Sequence, residues 1–112
     1  MREILFKAQR VPDRKWVFGL PNHEGYLVDE NGHANAIYKK TLCQYIGQND
    51  KNGKKIFEHD VMQFENDHPF VVFIEEGAPQ IERLGGRPRG VILTQSKSDL
   101  CRVIRNLADE EN

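Results

Sequence analysis

The segment 44–64, QYIGQNDKNGKKIFEHDVMQF, constrains the fold of this chain more than any other. Asn52-Gly53 lies between two apolar runs, and Asn-Gly is the strongest local signal for a β-hairpin because both residues tolerate the positive φ of a tight two-residue turn. The segment therefore predicts strands at 44–47 and 55–57 around that turn, and a new strand that begins at Asp60-Val61. It contains no catalytic signature, so the sequence alone does not reveal an activity.

Length and charge narrow the class of protein. A chain of 112 residues suits one domain, here 1–112, and its 38% hydrophobic content is enough for a modest core. The 16 basic residues nearly cancel the 17 acidic ones. The net charge therefore gives no general attraction to nucleic acid or to an anionic membrane, and any nucleic-acid binding has to be local.

The sequence shows neither a targeting signal nor a cysteine spacing that is typical of a metal site or a disulfide. The N-terminal residues MREILFKAQR lack the apolar stretch of a signal peptide, and no run approaches the roughly 20 apolar residues of a membrane span. We expect a cytoplasmic protein that does not contact membranes. Cys43 and Cys101 lie far apart without a CxxC partner, which argues against a zinc site or a disulfide and favours buried thiols.

Alternation of apolar and polar residues predicts further strands. Residues 2–8 alternate, and after a turn at 11–14 the strand 15–20 places Trp16, Phe18 and Leu20 on one face, with Trp16 as a core anchor. The five apolar residues 70–74 predict a central strand that is buried on both faces. Shorter extended segments are predicted at 26–28, 33–38 and 91–94.

The segment 76–90, EGAPQIERLGGRPRG, differs from the rest in composition. Its two prolines and four glycines predict a long mobile loop or an irregular arm. Arg83, Arg87 and Arg89 could contact phosphates there, because arginine pairs with phosphate in a fork geometry and glycine lets the backbone approach. A solvated flexible loop agrees better with the near-zero net charge.

Two other patterns bear on function or on the end of the fold. In a regular strand Glu58 and Asp60 share a face and His59 points the other way, so the three predict no shared metal ion, and Asp60 is expected to bond backbone N–H groups of the preceding turn. We predict no catalytic residue, no metal and no cofactor. Near the end, the spacing of Leu100, Val103, Ile104 and Leu107 favours an amphipathic helix with Ser98 as its cap.

Three segments carry a resemblance to a known family. They are Met1 to Ile4 with Phe6 to Ala8; Gln44 to Gly47 with Asp50 to Glu58 and Asp60-Val61; and Val103 to Leu107. Together they resemble, over the whole chain, the YopX family of small proteins encoded by bacteriophages and prophages of low-GC Gram-positive and other bacteria. The middle segment is the most specific, since it resembles the family pattern Q-Y-[TI]-G-x-x-D-x-N-G-x-x-I-[YF]-E-G-D-[IV].

The chain departs from the family pattern at three places. His59 stands where the family usually has glycine, Arg105 replaces the glycine that usually follows Val-Ile, and residues 109–112 replace the usual Asn-Pro-Glu ending. If the glycine provides a positive φ, histidine is one of the few side chains that tolerates it, so the turn at His59 can survive.

The resemblance implies a mainly β fold: a small SH3-like barrel around the central block, with additional antiparallel strands. It also implies a strand at 101–104, in conflict with the helical spacing, with a short helical segment near the C-terminus. It implies some self-association and no established activity.

Three functional hypotheses follow. The preferred one is a non-enzymatic binding module in the bacterial host cell, a homo-oligomer that contacts a host or phage protein. The alternative is a nucleic-acid-binding barrel that uses Arg83, Arg87 and Arg89, which requires Tyr45 or Phe57 to be exposed beside them. The third is a hydrolase or metal enzyme, which requires residues 58–60 to converge in a pocket.

Overall fold

Antiparallel β-strands are the main regular structure of the computed structural model, which describes residues 3–11, 13–85 and 91–111. The strands are β1 (Phe6–Gln9), β2 (Trp16–Pro21), β3 (Leu27–Val28), β4 (Ala34–Asn35), β5 (Cys43–Asn49), β6 (Lys55–Phe57), β7 (Asp60–Gln63), β8 (Phe70–Glu75), β9 (Ala78–Arg83), β10 (Val91–Ile92) and β11 (Arg102–Asn106). One short helix, α1 (Gln95–Ser98), and two 3₁₀ segments, Lys39–Thr41 and Leu107–Glu111, complete the fold.

The strands form two antiparallel sheets, so the mainly β class is confirmed. The first sheet has the order β4-β3-β2-β1-β5-β6 and the second the order β10-β9-β8-β7-β11. Among the described residues these sheets do not close into the expected SH3-like barrel. The chain leaves the first sheet after β6, and in the part of the chain that the structure describes β7 pairs with β8 and β11. Within that part it pairs with no strand of the first sheet, so the two sheets stay separate. A bridge between Arg10 and Ile37 curls one end of the first sheet.

The central hairpin is confirmed, but its turn is longer than predicted. β5 and β6 pair at Tyr45 with Phe57 and at Asn49 with Lys55. Between them Asp50 N donates to Lys54 O and Gly53 N donates to Asp50 O. Of the Asn-Gly pair only Gly53 has a positive φ, of 79°. Asp50 replaces the two-residue turn with a wider one because its side chain accepts from the backbone N–H groups of Asn52 and Lys54.

The prediction of a long loop at 76–90 is wrong for its first half. Glu75 pairs with Ala78, so Glu76-Gly77 is a two-residue hairpin turn in which both φ values are positive, 53° and 80°. β9 then follows, although it contains Pro79. The carbonyl of Pro79 accepts from Leu93 N, and Leu93 is the residue just after β10. Proline has no N–H to donate, but at Pro79 this costs no bond within the ladder, because the pairing of β9 with β10 ends there. Residues 86–90 lie outside the described part.

The C-terminal segment is a strand, as the family resemblance implies, and the helical spacing is misleading. β11 pairs with β7, and the register shifts between Val103 and Arg105. Leu100 and Leu107 lie before and after β11, so the apolar spacing of three and four positions is not a stripe on a single element. The short helical segment beyond the strand is also found, as 3₁₀ helix, whereas α1 lies earlier and is capped by Thr94 rather than Ser98.

The main core lies on the second sheet and under β5 and β6. It contains the buried side chains of Ile46, Ile56, Met62, Phe70, Val72, Ile81, Leu93 and Cys101. β8 is the middle strand of its sheet, and its first three residues are buried, which confirms the central strand predicted at 70–74. A smaller cluster of Cys43, Tyr45 and Phe57 lies on the first sheet, and the partly buried Trp16 packs against it.

Candidate functional site

Only one of the three predicted phosphate-contacting arginines can be placed. Arg83 ends β9, opposite Phe70 on β8, and is exposed. Arg87 and Arg89 lie outside the described residues. The structure therefore does not show whether the three arginines come together.

Arg83 borders a pocket of about 390 Å³ on the second sheet. Its lining residues are Phe64, Asp67, His68, Phe70, Ile81, Glu82, Arg83, Val91 and Lys97. Apolar side chains form much of this lining, and Lys97 Nζ lies 5.8 Å from the centroid of the Phe70 ring. The pocket thus combines an apolar floor with a rim that includes two permanent cations, Arg83 and Lys97.

The aromatic residues required by the nucleic-acid hypothesis are not exposed beside Arg83. Tyr45 retains 6% of its accessible surface and Phe57 retains 3%. Their rings contact each other at 5.7 Å between centroids, and Tyr45 Oη donates to Asn49 Oδ1 at 2.6 Å. Both are core residues of the first sheet, so the condition that the nucleic-acid hypothesis sets for Tyr45 or Phe57 is not met.

The titratable residues 58–60 do not converge. Glu58 Oε1 accepts from Gln44 N at 2.9 Å, Asp60 Oδ2 accepts from Phe57 N at 2.8 Å, and His59 Nδ1 lies 3.8 Å from Cys43 Sγ. The bond from Phe57 N confirms that Asp60 caps the preceding turn. Among the residues that the structure describes, no three His, Cys, Asp or Glu side chains are placed to hold a metal ion.

Asp60 belongs to a buried polar cluster between the sheets that the sequence did not predict. Its Oδ1 lies 3.6 Å from Lys7 Nζ and accepts from Asn106 Nδ2 at 2.9 Å. Lys7 Nζ also lies 4.4 Å from the Trp16 ring centroid and 4.8 Å from that of Phe57. Burial raises the pKa of Asp60 above its ordinary value, against the opposing effect of Lys7. The cluster joins β1, β7 and β11 and is sealed from solvent.

The two cysteines are buried, as predicted, and Cys43 is not activated by its neighbours. Burial raises the pKa of the Cys43 thiol to about 12. His59 and Asn106 both approach its sulfur at 3.8 Å, but a thiol with this pKa stays protonated at neutral pH and is a poor nucleophile. The Cys43–His59 pair is therefore a packing contact.

Two exposed apolar side chains of β2 lie beside a pocket on the first sheet. Phe18 is 48% exposed and Leu20 is 51% exposed, although the sequence placed them on the same face as the predicted core anchor Trp16. They line a pocket of about 590 Å³ together with Leu5, Val28 and the acidic residues Glu3, Asp29 and Glu30. Alternation predicted that the two residues share a face, but the sequence carries no signal that this face lacks a covering element.

Comparisons with known proteins agree with this fold. Residues 13–109 match the model of the family described as YopX protein. The crystal structure of protein EF1440 from Enterococcus faecalis resembles the chain with a TM-score of 0.66 and 16% sequence identity, over 100% of this chain and 98% of that one. At this identity the likeness shows the fold alone. No curated protein matches the chain significantly.

Proposed function

The chain belongs to the YopX family, and we propose that it is a non-enzymatic accessory protein of a phage or prophage that works in the host cytoplasm by binding copies of itself and a host or phage protein. The observation that carries this proposal is the apolar surface of β2. Phe18 and Leu20, each about half exposed, border a pocket rather than standing alone. Contiguous exposed apolar surface with a polar rim is characteristic of protein-binding sites.

A second copy of the chain is the occupant that the charges favour. The pocket beside Phe18 and Leu20 has an acidic rim of Glu3, Asp29 and Glu30. The pocket beside Arg83 has an apolar lining and carries Arg83 and Lys97 on its rim. The lining beside Arg83 also includes Asp67 and Glu82, so this surface is mixed in charge rather than basic. Arg83 and Lys97 can still pair with the carboxylates of the acidic rim on another copy, so we propose head-to-tail contact, which generates rings or filaments.

The absence of an enzymatic role is part of the proposal. Each residue of the densest titratable cluster, 58–60, has a separate structural partner. The pockets beside Arg83 and beside Phe18 are lined by other residues. A binding role uses the exposed side chains, whereas a catalytic role for residues 58–60 would have to use groups that are occupied or buried.

The nucleic-acid alternative stays a prediction that depends on Arg87 and Arg89. Its test is a fluorescence titration with labelled single- and double-stranded oligonucleotides at several salt concentrations. Binding that weakens steeply with salt, and that Arg87→Ala with Arg89→Ala reduces, would favour it over the binding module.

Light scattering of the purified protein over a range of concentrations tests the proposal. The wild-type chain should show a mass above that of a 13.0 kDa monomer. The double variant Phe18→Ser with Leu20→Ser should shift to the monomer. Leu100→Ser with Ile104→Ser removes exposed apolar residues just before and within β11 that do not line the pocket beside Arg83, and should leave the mass unchanged. A monomeric wild-type protein, or equal loss in both variants, contradicts the proposal.

A further inference from the structure

A third pocket, of about 390 Å³, lies at the curled end of the first sheet and is rich in positive charge. Its lining residues are Arg14, Tyr38, Lys39, Lys40 and Thr41, which include three cations and no carboxylate. Lys39 and Lys40 are exposed, and neither has a carboxylate within ion-pair distance among the described residues. Three cations without counter-charges favour an anion at this place.

The guanidinium of Arg14 is held in a fixed position. The residue has a positive φ of 60°, and its guanidinium carbon lies 4.2 Å from the centroid of the Tyr38 ring. Arg14 Nη1 donates to Gln9 Oε1 at 3.1 Å. This bond uses one of its five N–H donors, so the stacked, planar group can still offer paired donors to an oxyanion.

Gln9 provides an independent observation. It is fully buried, and its Nε2 has no hydrogen-bond acceptor in the part of the chain that the structure describes. Gln9 contacts three of the five lining residues: its N donates to Thr41 Oγ1, its O accepts from Tyr38 N, and its Oε1 accepts from Arg14. Gln9 does not itself line the pocket, but the Oε1 of the same amide group accepts from the Arg14 guanidinium and so helps to fix its position.

We propose that this pocket binds the phosphoryl group of a phosphate-bearing ligand. A phosphate offers several strong acceptor oxygens and up to two negative charges, which match a guanidinium and two ammonium groups better than a single carboxylate would. The proposal goes beyond self-association, because none of these residues belongs to the surfaces beside Phe18 or Arg83.

The test is a nuclear magnetic resonance titration of the full ¹⁵N-labelled chain at constant ionic strength. Inorganic phosphate, a nucleoside monophosphate and a short single-stranded oligonucleotide are added in separate arms. We expect saturable shifts of the Gln9 side-chain NH₂ signal and of the backbone signals at residues 38–41. The source of phosphate that saturates these signals at the lowest concentration identifies the class of ligand.

Two double variants with equal charge loss decide whether the pocket is specific. Lys39→Gln with Lys40→Gln should weaken the binding roughly tenfold or more, because it removes two of the three cations. Lys51→Gln with Lys54→Gln, at the exposed turn between β5 and β6, should bind like the wild type. No saturable shift in any arm, or equal weakening in both variants, overturns the proposal. The light-scattering mass of the Lys39 and Lys40 variant should stay that of the wild type, so this result is separable from self-association.

Discussion

His59 adopts the backbone conformation that the YopX pattern assigns to glycine. Its φ is 68°, its N donates to Val72 O at 2.7 Å, and its O accepts from Leu107 N at 2.9 Å. The left-handed conformation thus directs the N–H of His59 toward β8 and its carbonyl toward Leu107, which follows β11. Both contacts form just after the chain leaves the first sheet. The expectation that histidine would tolerate a positive φ here is confirmed, and the substitution leaves the turn intact.

We predict that the positive φ at position 59 matters more for stability than the identity of the side chain. His59→Gly should leave the free energy of unfolding unchanged or slightly higher, whereas His59→Val should lower it by about 1–2 kcal/mol, because a β-branched residue is strained in the left-handed region. Urea denaturation of both variants beside the wild type measures this. Equal destabilisation by the two variants would instead mean that the contact between His59 and Cys43 determines the stability.

The pH dependence of stability should reveal the buried carboxyl of Asp60. Because burial raises its pKa in the folded state, the folded protein binds this proton more tightly than the unfolded chain does. The resulting stabilisation is complete below the ordinary aspartate pKa of about 3.9 and is lost as the pH rises through the raised value. The unfolding free energy of wild type minus that of Asp60→Asn should therefore fall with rising pH. A difference that rises with pH would show that Lys7 outweighs burial.

At the scale of the strands, Gly19 allows β2 and β3 to lie unusually close. A Cβ atom at this position would lie 2.0 Å from the carbonyl oxygen of Val28. Gly19 pairs with Phe6 on β1, while the next residue, Leu20, pairs with Val28 on β3. At Gly19 the backbone of β2 therefore lies against β3, and the side chain of the next residue, Leu20, faces solvent.

Gly19→Ala should separate these two strands. The added methyl group meets backbone, which cannot move as a side-chain tip can, so we expect a loss of about 1–3 kcal/mol in unfolding free energy. Hydrogen exchange should locate the damage, with faster exchange in β3 and unchanged protection in β8. Unchanged exchange in β3 would contradict the close approach.

The hairpins show what the sequence could and could not predict. The strand positions 55–57 and 60–61 followed from alternation and turn residues, because those signals are local. The positions of the two-residue turns could not be predicted in the same way. The Asp50 side chain widens the predicted Asn-Gly turn, and the sequence of the real two-residue turn, Glu76-Gly77, resembles an ordinary loop. The bulge in β11 likewise depends on β7, a partner about 40 residues away, and a local pattern cannot specify it.

At the scale of the molecule, a buried polar cluster joins the two sheets in addition to the short turn and the hydrophobic core that they share. Lys7 from the first sheet meets Asp60 from the second, and Asn106 donates to both Asp60 and the carbonyl of Glu58. Nothing in the residue types identified Lys7 as buried, because a lysine on an alternating strand normally faces solvent. Its burial results from the packing of Trp16 and Phe57 around it.

The candidate surfaces were less predictable than the fold. Sequence reasoning selected Arg83, but it placed Phe18 and Leu20 on the face of the core anchor Trp16 without assigning them a binding role, and it overlooked Arg14, Lys39 and Lys40. These residues converge only because the segment after β4 returns to the end of β1, where Tyr38 N donates to Gln9 O. Long-range strand pairing of this kind has no local signature, whereas the family resemblance gave the strand at the C-terminus correctly.

A charge-exchange experiment tests the head-to-tail contact most directly. One variant carries Glu3→Lys with Glu30→Lys on the acidic rim, and the other carries Arg83→Glu with Lys97→Glu beside the pocket on the second sheet. Each variant alone places like charges at the proposed pairs between the two rims, so light scattering should find it monomeric. An equimolar mixture restores opposite charges at these pairs and should regain the wild-type mass. If the variants keep the wild-type mass alone, or if the mixture stays monomeric, the two surfaces do not bind each other and the account of self-association is contradicted.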